Sequence, residues 1–228
     1  MKLRRHEDLT ELADLLDSEL PERRFDDASY LEWLYDQNPH GPSFHLAAFE
    51  EGQPKAHYAL VAQDYRDRAG RERMVFSLNA VTSRTTQRRG WFTTIAPELY
   101  EQAREWGAVG IVAVANDKST PAATDHLGYR LLGPMPVRLA PRTGRVGSAW
   151  TTHGVDEAFL ASSAFEEIFA GLDDAPVTGW VNRWTTEHAR WRLAAPNCGP
   201  YAIHVGPDLV AVSSSTTFGP VPVAALLK

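Results

Sequence analysis

The chain of 228 residues reads as an α/β protein, a mixed sheet with flanking helices, and three observations predict that class. Apolar residues recur at helical spacing over 8–20 and again over 29–37. Three strand-length runs follow, 44–49, 55–63 and 74–82, with polar turns between them. A helical pattern over 92–106 then leads to an almost purely apolar run, 108–115. A strand, a helix and a second strand in that order make a crossover unit, so 74–82 and 108–115 should lie side by side and parallel.

Each element has a local reason. Leu9, Leu12, Ala13, Leu16 and Leu20 form one helix face, and Pro21 ends it. Asp26, Asp27 or Ser29 caps the second helix. That helix stops at Asn38-Pro39, because the residue before proline avoids the helical region. Glu51-Gly52-Gln53-Pro54 turns the chain between the first two strands, and the charged stretch 66–73, with Gly70, makes a second hairpin. Phe92, Ile95, Leu99, Ala103 and Trp106 share a face of the next helix, which Pro97 should bend or shorten. The run 108–115 is that of a buried parallel strand. Thr120-Pro121 suits an N-cap with proline at the first helical position, and Gly128 suits a C-terminal cap. Residues 129–137 resume as a strand interrupted by Gly133-Pro134 and Pro136. Pro141 to Gly144 reads as loop, and Phe159, Leu160, Phe165, Ile168 and Phe169 predict a helix over 157–169. Asp173-Asp174-Ala175-Pro176 breaks that helix.

Composition narrows the classes. The chain is 43% hydrophobic and 23% charged, enough for one good core and an appended unit. A net charge of -6 argues against a nucleic-acid binder. The single cysteine, Cys198, forms no internal disulfide, which suits a reducing compartment, and reads as a packing or surface residue. Glu7 and Asp8 stand where a signal peptide needs an apolar core, and no apolar run has membrane-spanning length. The expectation is a cytoplasmic chain with no membrane and no nucleic-acid partner.

Between the crossover strand and its helix lies Gln87-Arg88-Arg89-Gly90-Trp91-Phe92. A basic, glycine-containing turn at a helix start suits phosphate, because the first helical amides lack partners and the helix dipole is positive there. Gly90 lets a backbone approach closely, and Arg88 and Arg89 supply charge. The other reading is a solvated turn. Neither GxxxxGK[ST] nor GxGxxG is present.

The pattern Gln-x-x-Gly-x-Phe resembles the acyl-CoA pyrophosphate loop of the GNAT superfamily of N-acyltransferases, usually [Gln/Arg]-x-x-Gly-x-[Gly/Ala]. Asn116 after the second parallel strand and Leu127-Gly128-Tyr129, similar to the family's Leu-Gly-Phe, extend the resemblance over roughly 1–137. The resemblance implies a GNAT-like fold and acetyl-CoA, or another acyl-CoA, as co-substrate. It implies that Gln87, Arg88, Arg89, Gly90, Trp91 and Phe92 hold the pyrophosphate. The strand edge at Ala80, Val81 and Thr82 would pair with the pantetheine, with the Val81 N–H near the thioester oxygen, and Asn116 would bond the pantetheine arm. Trp33 and Tyr35 would border the acceptor pocket; core packing is the other reading of both. The implied reaction is transfer of an acetyl or short acyl group to an amine of a small molecule, such as an amino sugar or natural-product amine, by direct attack. The alternative is a non-catalytic acyl-CoA-binding or regulatory module.

Departures leave the proton chemistry open. Phe92 replaces the usual small residue, so its ring must point into the core. Thr124 stands where many relatives carry an acidic tyrosine, and Phe76 and Leu78 stand where a strand base is common. His57 is a candidate base, or else a strand histidine facing solvent. Asn79 is a candidate positioning residue, or else outward-facing. His6, His40, His45, His126, His153, His188 and His204 show no ligand spacing, so no metal is expected.

Trp33-Leu34-Tyr35 with Asn38-Pro39 and Gly41-Pro42 finds a partial echo in Trp191-Arg192-Leu193 with Pro196-Asn197 and Gly199-Pro200. It is either a second half-module on the first pattern or a coincidence of turn residues. The domain expectation is a GNAT acyl-CoA-binding unit over 1–140, a linker with a helix over 141–179, and a partial second GNAT-like unit over 180–228. The second unit, which carries no pyrophosphate loop, would cover the acceptor pocket or form a subunit contact, so a homodimer is an open option.

Overall fold

The computed structural model of the chain describes residues 2–5, 8–20, 25, 27–134, 149–218 and 221–226. The Asp26 cap, Pro21, His6, the strand residues beyond 134 and the loop at Pro141 lie outside the described residues.

The first sheet is mixed, as the sequence predicts. Strand β1 (Lys2–Arg4) is followed by helices α1 (Leu9–Glu19) and α2 (Ser29–Asp36), then β2 (Ser43–Glu50), β3 (Gln53–Arg66) and β4 (Arg71–Thr82). Helix α3 (Trp91–Trp106) crosses over to β5 (Ile111–Ala113), and α4 (Thr120–His126) follows. The strand order is β1-β2-β3-β4-β5, antiparallel except for the parallel β4–β5 pair. The Asp8 carboxylate caps α1 by accepting from the Thr10 and Glu11 amides. Helix α3 runs unbroken through Pro97 and ends at Gly107, whose φ of 98° places it in the left-handed region.

The two faces of this sheet carry separate cores. Leu12, Leu16, Leu31 and Leu34 of α1 and α2 pack on Ala59, Val61 and Val81. Ile95, Ala96, Leu99 and Ala103 of α3 pack on Ala48, Tyr58, Leu60 and Val75. The run 108–115 departs from expectation. Only three of its residues form a strand, none of them fully buried, and Val109 and Val114 are 64% and 58% exposed. Among the described residues it is an edge strand, because residues 129–134 are not a strand that could cover it.

The second sheet draws on more of the chain than expected. Its order is β10-β9-β8-β6, with β6 (Thr151–Gly154), β8 (Tyr201–Val205), β9 (Val210–Phe218) and β10 (Val221–Leu226). Strand β6 comes from the stretch expected to be a linker with a helix, and the helix expected over 157–169 is divided into α5 (Glu157–Leu160) and α6 (Ser163–Phe169). Helix α7 (Thr186–Leu193) joins them, and Phe165, Phe169, Ala189, Leu193, Ile203 and Val212 form a third core. With the short α5 and β7 set aside, the order β6, α6, α7, β8, β9, β10 repeats that of β1, α1, α2, β2, β3, β4, and every neighbouring pair of strands within each set is antiparallel.

The two parts meet through matching helices. Trp33 on α2 and Trp191 on α7 stack at 4.5 Å, and each indole N–H donates to the other's backbone carbonyl, at 2.8 and 3.0 Å. These are the two tryptophans of the sequence echo, 158 residues apart. Strand β7 (Val181–Asn182) pairs with Tyr65 and Arg66, on the β3 edge that β2 leaves at Val61. Asp64, 1% exposed, pairs with Arg71 and with Arg183, which also pairs with Asp173. Among the described residues no helix is long and apolar enough to cross a membrane.

The same junction holds a neutral histidine. The His40 ring stacks on His188 at 3.9 Å, and the Asp64 N–H donates to its Nδ1 at 3.2 Å, so that nitrogen carries no proton. Burial lowers the His40 pKa to about 4; the Asp64 and Asp173 charges pull the other way, while Arg183 and Arg71 add to the lowering. The unfolded chain protonates this ring near pH 6.5. Its contribution to stability is therefore complete above that pH and is lost as pH falls toward 4. Urea unfolding should show a loss of about 2 kcal/mol between pH 7 and 5 that His40→Phe removes. An equal pH slope in the two proteins contradicts this.

Candidate functional site

The loop after β4 turns twice through left-handed backbone, at Arg88 with φ 63° and at Gly90 with φ 74°. Gly90 is the residue before α3 and has no side chain to cap it. The first helical bond runs from the Thr94 N–H to the Gly90 carbonyl, which leaves the amides of Trp91, Phe92 and Thr93 without helical acceptors. Those donors and the helix dipole face an exposed loop, since Gln87, Arg88, Arg89 and Gly90 are all exposed. The Trp91 ring is in the core, with its indole N–H buried and without an acceptor among the described residues. The Phe92 ring packs edge-on to Tyr58 at 4.9 Å, turned inward as its position in the loop requires.

The two arginines differ. Arg89 donates to both Glu50 oxygens, at 3.0 and 3.1 Å, so its charge is already matched. Arg88 has no such partner among the described residues and remains available to an anion. Arg88→Ala should therefore weaken acetyl-CoA binding about tenfold, and Arg89→Ala clearly less. Isothermal titration of both variants checks the order, and a larger effect from Arg89 contradicts it.

Strand β4 opens toward this loop. It pairs with β5 only at Val75, Phe76 and Ser77. Beyond Ser77 its β5-facing edge has no strand partner among the described residues. On the other side the register slips between His57 and Ala59, so Tyr58 faces two residues, Asn79 and Ala80. This bulge sets which amides reach the open edge. The Val75 N–H donates to Gly110, on the β5 side, and the Ser83 N–H donates to Lys55 of β3. Alternation from these two bonds turns the Val81 N–H toward β3 and gives the open edge to Ala80 and Thr82. The expectation for Val81 is thereby corrected: its amide faces the wrong way for a ligand at that edge.

His57 and Asn79 are buried, against the solvent-facing alternative for both, at 1% and 5% exposure. His57 Nδ1 donates to the Asn79 carbonyl at 3.0 Å, and the Asn79 side chain donates to the Tyr35 hydroxyl at 2.9 Å. Tyr35 stacks on His45 at 4.5 Å, and burial raises its phenol above the ordinary range. Asn79 holds a φ of 50° between these contacts. The two candidates for catalysis thus clamp the bulge from both ends. Trp33 and Tyr35 are each 3% exposed, Trp33 against Trp191, so neither forms a pocket surface.

At the end of β5, the Asn116 carboxamide oxygen accepts from the Lys118 and Ser119 amides, both at 3.0 Å. Asn116 is the turn that starts α4, and only its NH2 group is left for a ligand. The Thr124 hydroxyl donates within α4, to the Thr120 carbonyl at 3.1 Å. Tyr129 joins a group the sequence reading missed. The Tyr58 hydroxyl lies 2.8 Å from Ser77, 3.1 Å from Tyr129 and 3.4 Å from Tyr100. Burial raises the Tyr58 and Tyr100 phenols, so they stay neutral and hold β3, α3 and the segment after α4 together. The signal lay in Phe92, Ala96 and Tyr100 repeating at four-residue spacing on the buried side of α3. No group of His, Cys, Asp and Glu that could hold a metal occurs among the described residues.

No protein-family model matches the chain, and no curated protein matches it. Solved structures do. Among those it resembles are acetyltransferases. One from Trypanosoma brucei is 20% identical, covering 61% of this chain and 99% of that one, with a TM-score of 0.48. The glucosamine-6-phosphate N-acetyltransferase of Arabidopsis thaliana is 11% identical, covering 61% and 98%, with a TM-score of 0.47. An aminoglycoside 6'-N-acetyltransferase of Acinetobacter haemolyticus is 12% identical, covering 63% and 100%, with a TM-score of 0.49. The likeness is one of fold.

Proposed function

We propose that this chain binds acetyl-CoA, or another short acyl-CoA, along the open edge of β4 and moves the acyl group to an amine of a small molecule. The observation that carries the reading is the bulged strand, whose β5-facing edge has no strand partner beyond Ser77 among the described residues, leading into a loop that presents free helix-start amides and an arginine with no ion-pair partner among those residues. The donors of Trp91, Phe92 and Thr93, with Arg88, suit a pyrophosphate. The Ala80 and Thr82 amides suit the peptide-like groups of a pantetheine arm, or a thioester oxygen as it gains negative charge. The amine nitrogen attacks the thioester carbon, the carbon–nitrogen bond forms, the carbon–sulfur bond breaks, and the amine proton reaches the thiolate through water. Water is the carrier because Thr124 is engaged, Phe76 and Leu78 are apolar, and His57 Nδ1 is held by the bulge. An amino sugar or natural-product amine is the acceptor class, and the second sheet, with the strand and helices before it, is a partial second GNAT-like unit packed on α2.

That no acid or base is built into the site among the described residues also favours a second reading, an acyl-CoA-binding module without turnover. Thermal shift with acetyl-CoA, followed by thiol release over a panel of amines, separates the two. Stabilisation with release on at least one amine supports transfer. Stabilisation with no release on any amine supports the binding module, and no stabilisation at millimolar acetyl-CoA removes both.

A further inference from the structure

Three side chains of the second sheet share one line of hydrogen bonds. His204 on β8 lies opposite Thr152 on β6. Its Nδ1 is 3.0 Å from the Thr152 hydroxyl, and its Nε2 is 2.8 Å from the Ser213 hydroxyl on β9. Thr152 is exposed and the other two residues are half-buried, so the line is open to solvent.

The face that carries it lies outside the cores. Tyr201, Ile203, Val205, Val210 and Val212 turn into the third core. Alternation turns Ala202, His204, Ala211 and Ser213 to the other side. None of these four belongs to a core among the described residues. In the first sheet, α3 packs on the side away from α1 and α2. In the second sheet, no described helix builds a core on the side away from α6 and α7. An aromatic ring stands at the end of this face. Thr151 faces Val205, so Trp150 faces Gly206, two residues from His204. The Trp150 ring lies against Gly206, where an added Cβ would meet it at 2.9 Å, and Trp150 is 37% exposed.

A serine hydroxyl bonded to one imidazole nitrogen, with the other nitrogen held by a third group, is the arrangement that activates serine as a nucleophile. With its proton on Nδ1, His204 donates to Thr152 and accepts from Ser213. We propose that Ser213 and His204 act as nucleophile and base toward small esters of phenols, with Thr152 as a positioning residue and Trp150 as the surface for the aryl ring. The Ser213 oxygen bonds to the ester carbon as its proton passes to His204 Nε2. The carbon–oxygen bond to the phenol breaks, the phenolate leaves, and the proton passes from His204 to solvent. Water then bonds to the acyl carbon and gives a proton to Nε2. That proton returns to the Ser213 oxygen as its bond to carbon breaks, and a carboxylic acid leaves. The line holds no acid for the leaving group, which is why the ester is one of a phenol: a phenolate departs without a proton far more readily than an alkoxide. No residue of the proposed acyl-CoA site takes part.

The probe is p-nitrophenyl acetate. The native chain should release a burst of about one nitrophenolate per chain and carry an acetyl group on Ser213 in a peptide map. Ser213→Ala should lose both, and Ser213→Cys, which keeps a nucleophile against His204, should recover them. His204→Gln should slow the burst about a hundredfold. Thr152→Val should slow it with KM unchanged, and Thr152→Ser should restore it. Ser215→Ala, on the same strand face, should change nothing. If the line serves only to join three strands, these changes lower Tm and leave the reactivity as it was, and that result overturns the proposal. So does a native chain without a burst, acetyl found only on other residues, or a burst that survives in Ser213→Ala. Acetyl-CoA affinity should be native in every variant, which separates this outcome from that of the donor-site reading.

Discussion

Gly90→Glu should abolish acetyl-CoA binding and leave the fold intact. The position is left-handed, with φ 74°, so any side chain there costs about 1–2 kcal/mol of backbone strain. That is small against the roughly 5–15 kcal/mol that holds a domain folded. There is room for a side chain, because an added Cβ would meet only the Thr93 hydroxyl oxygen, at 3.5 Å, an ordinary contact. The carboxylate would then stand where the proposed site places the pyrophosphate. Two like charges about 4 Å apart near a protein surface repel by up to roughly 4 kcal/mol, and a pyrophosphate carries more than one. The affinity loss should exceed a hundredfold. Gly90→Ala carries the strain without the charge and should keep most of the affinity. Titration calorimetry with thermal melts tests both variants, and unchanged affinity in Gly90→Glu would sink the site assignment.

Trp191→Ala should be the most destabilising single change at the junction of the two sheets. It removes a ring stacked at 4.5 Å on Trp33 and the indole N–H that satisfies the Trp33 carbonyl. Truncating a fully buried tryptophan costs about 3–5 kcal/mol, and the partly buried Trp191 should fall at the low end of that range, about 3 kcal/mol. In a chain of this size that corresponds to a fall in Tm of about 10 °C. Trp191→Phe keeps the stack and loses only the hydrogen bond, about 1 kcal/mol. Urea unfolding of both orders these effects. A Trp191→Ala protein as stable as the native one would mean that the tryptophans are not what joins the two parts.

The first sheet was legible because its signals are local. Helical and strand periods, Gly90 and Gly107 each act within a few residues of themselves. The left-handed turn at Gly90 and the helix start that follows it were legible for the same reason. The bulge was not, because a register slip between β3 and β4 leaves no periodic mark that outweighs ordinary alternation. That slip reversed the expectation for Val81, and His57 is buried because helices cover both faces of β3, α1 and α2 on one side and α3 on the other, which no local pattern announces. The run 108–115 looked like an interior strand because apolar composition alone does not say whether a sheet continues beyond it. The second sheet was half-seen. The echo of Trp33 in Trp191 marked its helix, yet the strand at Thr151–Gly154 is too short and too exposed to show a pattern. The pairing of Arg89 with Glu50 joins residues far apart in sequence and has no local signal.

The most direct test of the donor site is an amide-resolved NMR titration with acetyl-CoA. The predicted result is saturable shifts at Arg88, Trp91, Phe92 and Thr93 together with Ala80 and Thr82, while Val81 moves little. Saturable binding whose shifts fall elsewhere, or no shift in these amides at millimolar acetyl-CoA, would contradict the account.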